Sequence, residues 1–421
     1  MFGLNEDKKV VISNVIFLGI LQGVNSLLPL ITLPYLLNVV GASYFGLIVF
    51  SAAIMTYFSL IVDYGFNLTA TNQVSKYRND IQKINKIFNA IMTIKFLIVI
   101  LCFFVLVLII NCIETFSEHR SIYMLSFGSV IGQAILPMWL FQGLERMRYI
   151  VILNIIAKIF FTIFIFIFVN HKEDYWMVPL FNSMGFLISG FISIKIIHEK
   201  FNIRLALCSF YEFKKQLYEG FHVFLSTISV SLYSNSIIII LGIFCGFTSA
   251  GYFSIADKII QGVKGLYQPI SQAIYPYLAK KFNQDNDDIL LIVRRLIIYF
   301  ASPMLIFCLC LFIFADFIVH KFFGDNLNQT VFMLRVMSFL PFLGVLSNIL
   351  GVQTILNLGY RIQFTRILIS AAIFGLLGSF IFVPRFGGVG ASFVLLLVEV
   401  FVTLSMGIFI FKKTNLIKNS E

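Results

Sequence analysis

The sequence predicts an all-α polytopic membrane protein, with twelve transmembrane helices in two six-helix lobes around a central cavity. Three observations predict it. The first is composition: of 421 residues, 59% are hydrophobic and 12% charged, whereas soluble domains average roughly 45–50% and about 25%. Mean hydropathy is +0.94. A water-soluble fold of this length cannot hide that much apolar surface, since even a ~300-residue domain buries only about three quarters of its unfolded area. A soluble enzyme, a nucleic-acid-binding domain and a disordered chain are thereby excluded. The 49 Phe residues suit lipid contact. The second observation is a series of twelve continuous apolar runs, each near the ~20 residues that cross a bilayer. Continuity excludes β-barrel strands, which alternate. The third is a lopsided distribution of Lys and Arg between alternate loops.

The runs follow in order. Span one, 10–33, comes after Lys8 and Lys9 and stays uncharged for some two dozen residues. It is longer than a signal-peptide core and lacks a small-residue cleavage site, so it reads as retained. It carries Gln22, Asn25, Ser26 and Pro29. Span two is 44–62, followed by the longest expected loop, 63–86. Span three, 87–111, contains Lys95 a third of the way in. Lys95 reads equally as snorkelling to the cytoplasmic surface or as facing a cavity. Span four is 122–142. Span five, 150–169, holds Lys158 near its centre, one turn after Asn154 and with no acidic residue within four positions. Its partner must come from another helix or a ligand. Span six is 177–197, and a loop runs over 198–217.

Span seven, 218–244, places His222, Ser226, Ser229, Tyr233 and Ser236 at helical spacing. Span eight, 251–279, is the most informative: Ser254, Asp257, Gln261, Lys264, Gln268 and Gln272 recur at steps of three or four, with Lys258 beside them. That puts them on one helix face. Ile255, Ile259, Ile260, Val263 and Leu266 occupy the others. A buried polar seam that only joins helices is the bland reading. Three amides and two lysines exceed that need, and a hydrated cavity is the sharper one. The last spans are 291–319, 331–355, 363–383 and 390–411. Glu399, central in the twelfth, is a candidate proton site or lysine partner. Asp63, Lys195, Asp316 and Arg335 lie near span ends and read as interfacial charges. Pro29, Pro137, Pro269, Pro303 and Pro341 each permit a kink.

One set of alternate loops contains 21 Lys and Arg residues and the other 4. By the positive-inside rule both termini are cytoplasmic, which needs an even number of spans. The net charge of +11 is therefore mostly a topology signal. The six cysteines form no Cys-x-x-Cys pair and the five histidines have no metal-ligand spacing. No nucleotide-binding fingerprint is present. No cofactor, metal or nucleic-acid partner is expected.

An offset of 205 residues aligns span one with span seven: Ser26-Leu27 meets Ser231-Leu232, and Gly41-x-x-x-x-Gly46 meets Gly246-x-x-x-x-Gly251. This predicts lobes over 1–206 and 207–421, parallel because six spans return the chain to the same side. A seam between such lobes is where a pathway can open. The cavity lysines outnumber the acids near them, which favours an anionic cargo. Amides suit sugar hydroxyls, and lysines suit phosphate oxygens. Together they point to a phosphorylated glycan. Lys158, Lys258, Lys264, Gln261, Gln268, Gln22, Asn25 and Lys95 are the candidate cavity residues, with Asp257 and Glu399 as candidates for ion coupling.

Several segments resemble a known family. They are Asp63-Tyr-Gly-Phe-Asn-Leu68, Pro137-Met-Trp-Leu-Phe-Gln-Gly-Leu-Glu-Arg-Met-Arg-Tyr149, Leu225-Ser-Thr with Ser231-Leu-Tyr-Ser-Asn235, Gly251-Tyr-Phe-Ser-Ile-Ala-Asp-Lys258 and Gln268-Pro-Ile-Ser-Gln-Ala-Ile-Tyr-Pro276. At these residues the chain resembles the O-antigen flippases (Wzx type) of the polysaccharide transporter family. Their superfamily also contains MATE multidrug exporters and the lipid II flippase. The resemblance implies a MATE-like fold whose cavity is lined by the first, second, seventh and eighth helices. It implies a bacterial inner-membrane protein that flips an undecaprenyl-diphosphate-linked oligosaccharide to the periplasmic leaflet, by alternating access coupled to an ion gradient. Membrane lipids, a polysaccharide polymerase and a chain-length regulator are the expected partners. A multidrug exporter of the same superfamily should have an acidic or aromatic cavity, and the lysine excess argues against it. A membrane-embedded polymerase should have a substantial periplasmic loop, whereas those here are only about five to twelve residues long. The chain is read as a transporter, not an enzyme.

Overall fold

The computed structural model describes the backbone of residues 3–204, 206, 208–284, 289–324 and 327–418. Side chains are described from Gly19 to Lys412, except 21, 27, 205, 207, 226, 229, 230, 232–234, 272, 273, 275–277, 279–290, 325 and 326. Every regular element among the described residues is helical. Eight helical stretches among them are long and apolar enough to cross a membrane. The chain divides into two compact units, one from 1–24, 39–44 and 48–231, the other from 25–38, 45–47 and 232–421.

Helix α1 (Gly3–Asp63) contributes to both units and breaks at Gly41, where φ is 79° and ψ 164°. An L-residue with a Cβ rarely adopts that conformation. Gly246, the residue aligned with Gly41 by the 205-residue offset, has φ 81°. In the second unit, a Cβ on Gly46 would lie in the backbone of Phe247 and against Gly251, so the two aligned Gly-x-x-x-x-Gly segments meet backbone to backbone.

The first unit continues with α2 (Phe66–Lys76), an eleven-residue helix inside the expected loop 63–86. The segment is polar on average, which hid it, but Phe66, Ala70 and Val74 recur every four residues and are buried. Helix α3 (Ile81–Cys112) starts at Asp80, whose carboxylate accepts from the Lys83 backbone N–H at 3.0 Å. It buries Ile87, Phe88, Ile91 and Ile94 and exposes Phe96, Leu101, Phe104 and Leu108. Apolar residues on every side are what a helix in lipid requires. After the short α4 (Glu114–Ser117), the fourth expected span is broken at Pro137 into α5 (Arg120–Ile135) and α6 (Met138–Gly143). Proline has no N–H to continue the ladder.

Helix α7 (Met147–Phe168), a 3₁₀ turn (Lys172–Trp176) and α8 (Met177–Phe201) follow. Small residues let α8 approach its neighbours closely. The Ser183 hydroxyl donates to the Leu125 carbonyl at 2.5 Å, and Ser189 to Leu153 at 2.7 Å. Trp139, Leu140 and Phe141 of α6 are buried in one core with Phe88, Ile91, Leu153 and Ile197. Helix α9 (Phe210–Cys245) belongs to both units.

The second unit contains α10 (Phe247–Gln284), α11 (Ile289–Leu296), α12 (Ser302–Ile313), α13 (Ala315–Phe323), α14 (Asn328–Met337), α15 (Leu340–Asn348) and α16 (Arg361–Lys418). Pro303 and Pro341 sit in the first turns of α12 and α15, positions that proline tolerates better than a helix interior. Two π-helical stretches, Ile297–Ala301 and Ile349–Leu356, precede α12 and follow α15. Helix α16 breaks at Gly387, with φ 57° and ψ −138°.

Candidate functional site

In the second unit, α10 turns Ile255, Ile259, Ile260 and Val263 into the core and leaves Lys258, Gln261 and Gln268 exposed. Asp257 and Lys264 are half-buried at the edges of that face. Ser254, one turn earlier, is fully buried. The Gln261 amide donates to Asp257 Oδ1 at 3.3 Å. Lys264 Nζ lies 3.7 Å from Glu399 Oε1 of α16. Sequence spacing could not reveal that pairing across 135 positions; it needs a third helix as well. Gly344 of α15 lies against both charges, and a Cβ there would stand 3.3 Å from Glu399 Oε1 and 3.6 Å from Lys264 Cε. Glycine leaves the space in which the pair sits. The side chains are 32% and 20% exposed, so the pair is shielded but still reachable.

A neutral polar network joins α10, α15 and the second π-helical stretch. The Ser271 hydroxyl donates to Asn348 Oδ1 at 2.7 Å, and the Tyr267 hydroxyl reaches the same atom at 3.4 Å. Gln353, on the second π-helical stretch, donates to Ser271 Oγ at 2.9 Å and to its carbonyl at 2.8 Å. Gln353 Oε1 is buried with no hydrogen-bond partner. Sequence reasoning missed this network. Its members are scattered over 86 positions, and the step of five from Asn348 to Gln353 matches no α-helical face. A π-helical stretch, with its i→i+5 bonding, brings that spacing into register.

In the first unit, Lys95 Nζ lies 3.1 Å from Asp63 Oδ1. Lys95 is buried, and Asp63 is 20% exposed at its side chain. Asp63, read from the sequence as a charge near a span end, is thus ion-paired with a buried lysine of α3. Asp63 ends α1 just before Tyr64 and Gly65 turn left-handed, with φ 49° and 78°, and that turn aims its carboxylate at α3. A charge left alone in an apolar interior is costly, and the opposite charge offsets that cost. Lys158 is half-buried in the middle of α7, and Gln22 and Asn25 are half-buried on α1. In the seventh-span stripe His222 is exposed and Ser236 half-buried. Ser226, Ser229, Tyr233 and Gln272 have side chains outside the described residues.

Charges held inside apolar helical units define a multi-pass helical membrane protein of the transporter type. The fold is shared with the lipid II flippase MurJ in its inward closed conformation, at TM-score 0.72 and 14% identity, covering 95% of this chain and 87% of that one. It is also shared with an inward-facing multidrug resistance MATE family transporter of the MOP superfamily, at TM-score 0.65 and 12% identity, covering 94% and 96%. A protein named as an O-antigen transporter in Escherichia coli (strain K12) is 34% identical over 407 residues, 97% of this chain and 98% of that one. One of the same name in Shigella dysenteriae is 29% identical over 401 residues, 93% and 98% of the two chains. The family model described as polysaccharide biosynthesis protein matches residues 11–282, and the chain belongs to that family.

Proposed function

We infer that this chain is a flippase that carries a lipid-linked O-antigen oligosaccharide from the cytoplasmic to the periplasmic leaflet of the bacterial inner membrane. The observation that carries this reading is the end-to-end match with relatives named as O-antigen transporters. The charge placement supports it. Lys258, Gln261 and Gln268 are exposed on α10, in a helix otherwise rich in buried apolar residues. A cationic, amide-bearing surface suits the diphosphate and hydroxyls of an undecaprenyl-diphosphate-linked glycan. Lys158, Gln22 and Asn25 are further candidate cargo contacts, Lys95 is engaged by Asp63, and Asp257 and Glu399 are the candidate ion-coupling carboxylates. In this reading twelve helices form two six-helix lobes, 1–206 and 207–421, with both termini cytoplasmic, and alternating access moves the cargo.

Deletion of the gene, followed by gel analysis of surface polysaccharide, tests the reading. Surface O-antigen should vanish and return when the wild-type chain is supplied. Lys264→Glu, expressed at the wild-type level, should fail to restore it. Intact O-antigen in the deletion strain, together with new sensitivity to cationic drugs, would move the assignment to a multidrug exporter.

A further inference from the structure

The segment Pro137–Tyr149 separates into parts with different jobs. Trp139, Leu140 and Phe141 are fully buried core. Gly143 lets α6 close on α2, since a Cβ there would stand 2.7 Å from Val74 Cβ and 2.9 Å from the Thr71 carbonyl. Glu145 takes a left-handed φ of 56° and its carboxylate pairs with Arg78 at 2.7 Å, which ties the turn to the end of α2. What remains is Arg148-Tyr149, exposed arginine beside buried tyrosine at the start of α7.

The Tyr149 ring gathers a second cation from another helix. The Arg148 guanidinium lies over it at 4.9 Å and donates from Nη2 to the phenol oxygen at 3.1 Å. Lys200, in the last turn of α8, has Nζ 5.5 Å from the same ring. Phe141 and Phe201 hold the ring from other sides, at 5.5 and 5.9 Å. Among the described residues neither cation is ion-paired with a carboxylate. Glu145 is taken by Arg78, and Glu199 lies 3.9 Å from Lys195. Two like charges thus converge on one fixed aromatic platform. One guanidinium N–H is spent on the phenol and the rest remain available. Arg146 is exposed on the same turn and adds a third positive charge. All of these residues belong to the loop set with the basic excess, which faces the cytoplasmic headgroups by the positive-inside rule.

We propose that Arg148, Tyr149 and Lys200 form a binding site for the phosphate of a membrane lipid headgroup. A guanidinium supplies paired donors to phosphate oxygens and an ammonium supplies a point charge. Basic pockets between helix ends on the cytoplasmic side attract anionic lipid headgroups. The phosphate could belong to an anionic phospholipid or to a polyprenyl diphosphate, and binding measurements separate the two.

The test uses the full chain in neutral detergent, with native mass spectrometry reporting lipid occupancy during titration. The probes are phosphatidylglycerol, undecaprenyl diphosphate, inorganic pyrophosphate and, as neutral control, phosphatidylcholine. The variants are Arg148→Gln, Lys200→Gln, their combination, charge-keeping Arg148→Lys, and Lys195→Gln as an exposed control. The double variant should lose affinity by on the order of tenfold or more for at least one phosphate-bearing lipid. Arg148→Lys should lose less, Lys195→Gln should match wild type, and phosphatidylcholine occupancy should not change. Loss confined to phosphatidylglycerol identifies a bilayer phospholipid, and loss confined to undecaprenyl diphosphate identifies the polyprenyl carrier. Loss for pyrophosphate as well shows that the phosphate alone suffices. Wild-type affinity for both phosphate-bearing lipids in the double variant overturns the proposal, as does an equal loss in Lys195→Gln. Should the double variant fail to fold, the single variants decide on the same criteria.

Discussion

At the scale of residues, two lysine–carboxylate pairs dominate. Lys264–Glu399 and Lys95–Asp63 are each drawn from helices far apart in sequence. Removing one partner leaves a shielded charge unmatched, which costs about 3–5 kcal/mol for a buried pair and less for the more exposed Lys264–Glu399. Glu399→Gln and Lys264→Gln should each lower the melting temperature in detergent, while the double substitution recovers most of the loss. Surface O-antigen should stay low in all three, separating the transport role from stability. Gly344→Ala should act on the same pair, because its Cβ would press on Glu399. A smaller decrease in melting temperature is expected, and less still in a Glu399→Ala background, where the atom it would press on is gone. At the surface, Asp80 has its carboxyl held below the ordinary value of 3.8, chiefly by the backbone N–H of Lys83. A lowered pKa adds stability above the unfolded-state value and loses it as pH falls through the folded-state value. Asp80→Asn should therefore flatten the stability–pH curve of the wild type below about pH 4, measured by thermal unfolding.

At the scale of elements, small residues and breaks do most of the shaping. A Cβ on Gly132 of α5 would stand 2.6 Å from the Leu187 backbone N of α8, with no flexible side-chain end to give way. Overpacking of that kind costs about 1–3 kcal/mol. Gly132→Val should lower the melting temperature, and so should Gly185→Val, where the Ala157 carbonyl would be 2.6 Å from the new atom. Substitution of Leu187 by a smaller residue should not rescue either variant, since the clash at Gly132 is with backbone. Exposed apolar positions such as Phe104 and Leu108 of α3 should tolerate exchange among Leu, Ile and Phe with little change.

At the scale of the whole molecule, the basic asymmetry of 21 to 4 predicts both chain ends on the cytoplasmic side. Reporter fusions active only in the cytoplasm should work at both ends, and a periplasmic reporter should work when inserted near Lys172. A periplasmic signal at one end only would overturn the even span count, and one at both ends would reverse the orientation. The fold shared with MurJ and with a MATE family transporter is compatible with different cargo, so fold likeness carries the architecture and not the substrate.

Membrane residence, the helical class and the family were legible in the linear chain. Bulk hydropathy and loop charge are sums over residues, and they survive without knowledge of who touches whom. The family segments were equally legible as sequence, whereas the burial of Trp139, Leu140 and Phe141 in one core was shown by the structure. The partners of the charges were not. The pairing of Asp63 with Lys95 depends on a left-handed turn at Tyr64 and Gly65 and on the approach of α3. Glu399 was singled out in the chain, but its pairing with Lys264 depends on how α10, α15 and α16 pack. Helix α2 was hidden because its polar average masked three buried residues in register. Hydrophobicity acts on each residue separately and can be read one letter at a time; ion pairing and close packing act between residues, and only the folded chain chooses the pairs.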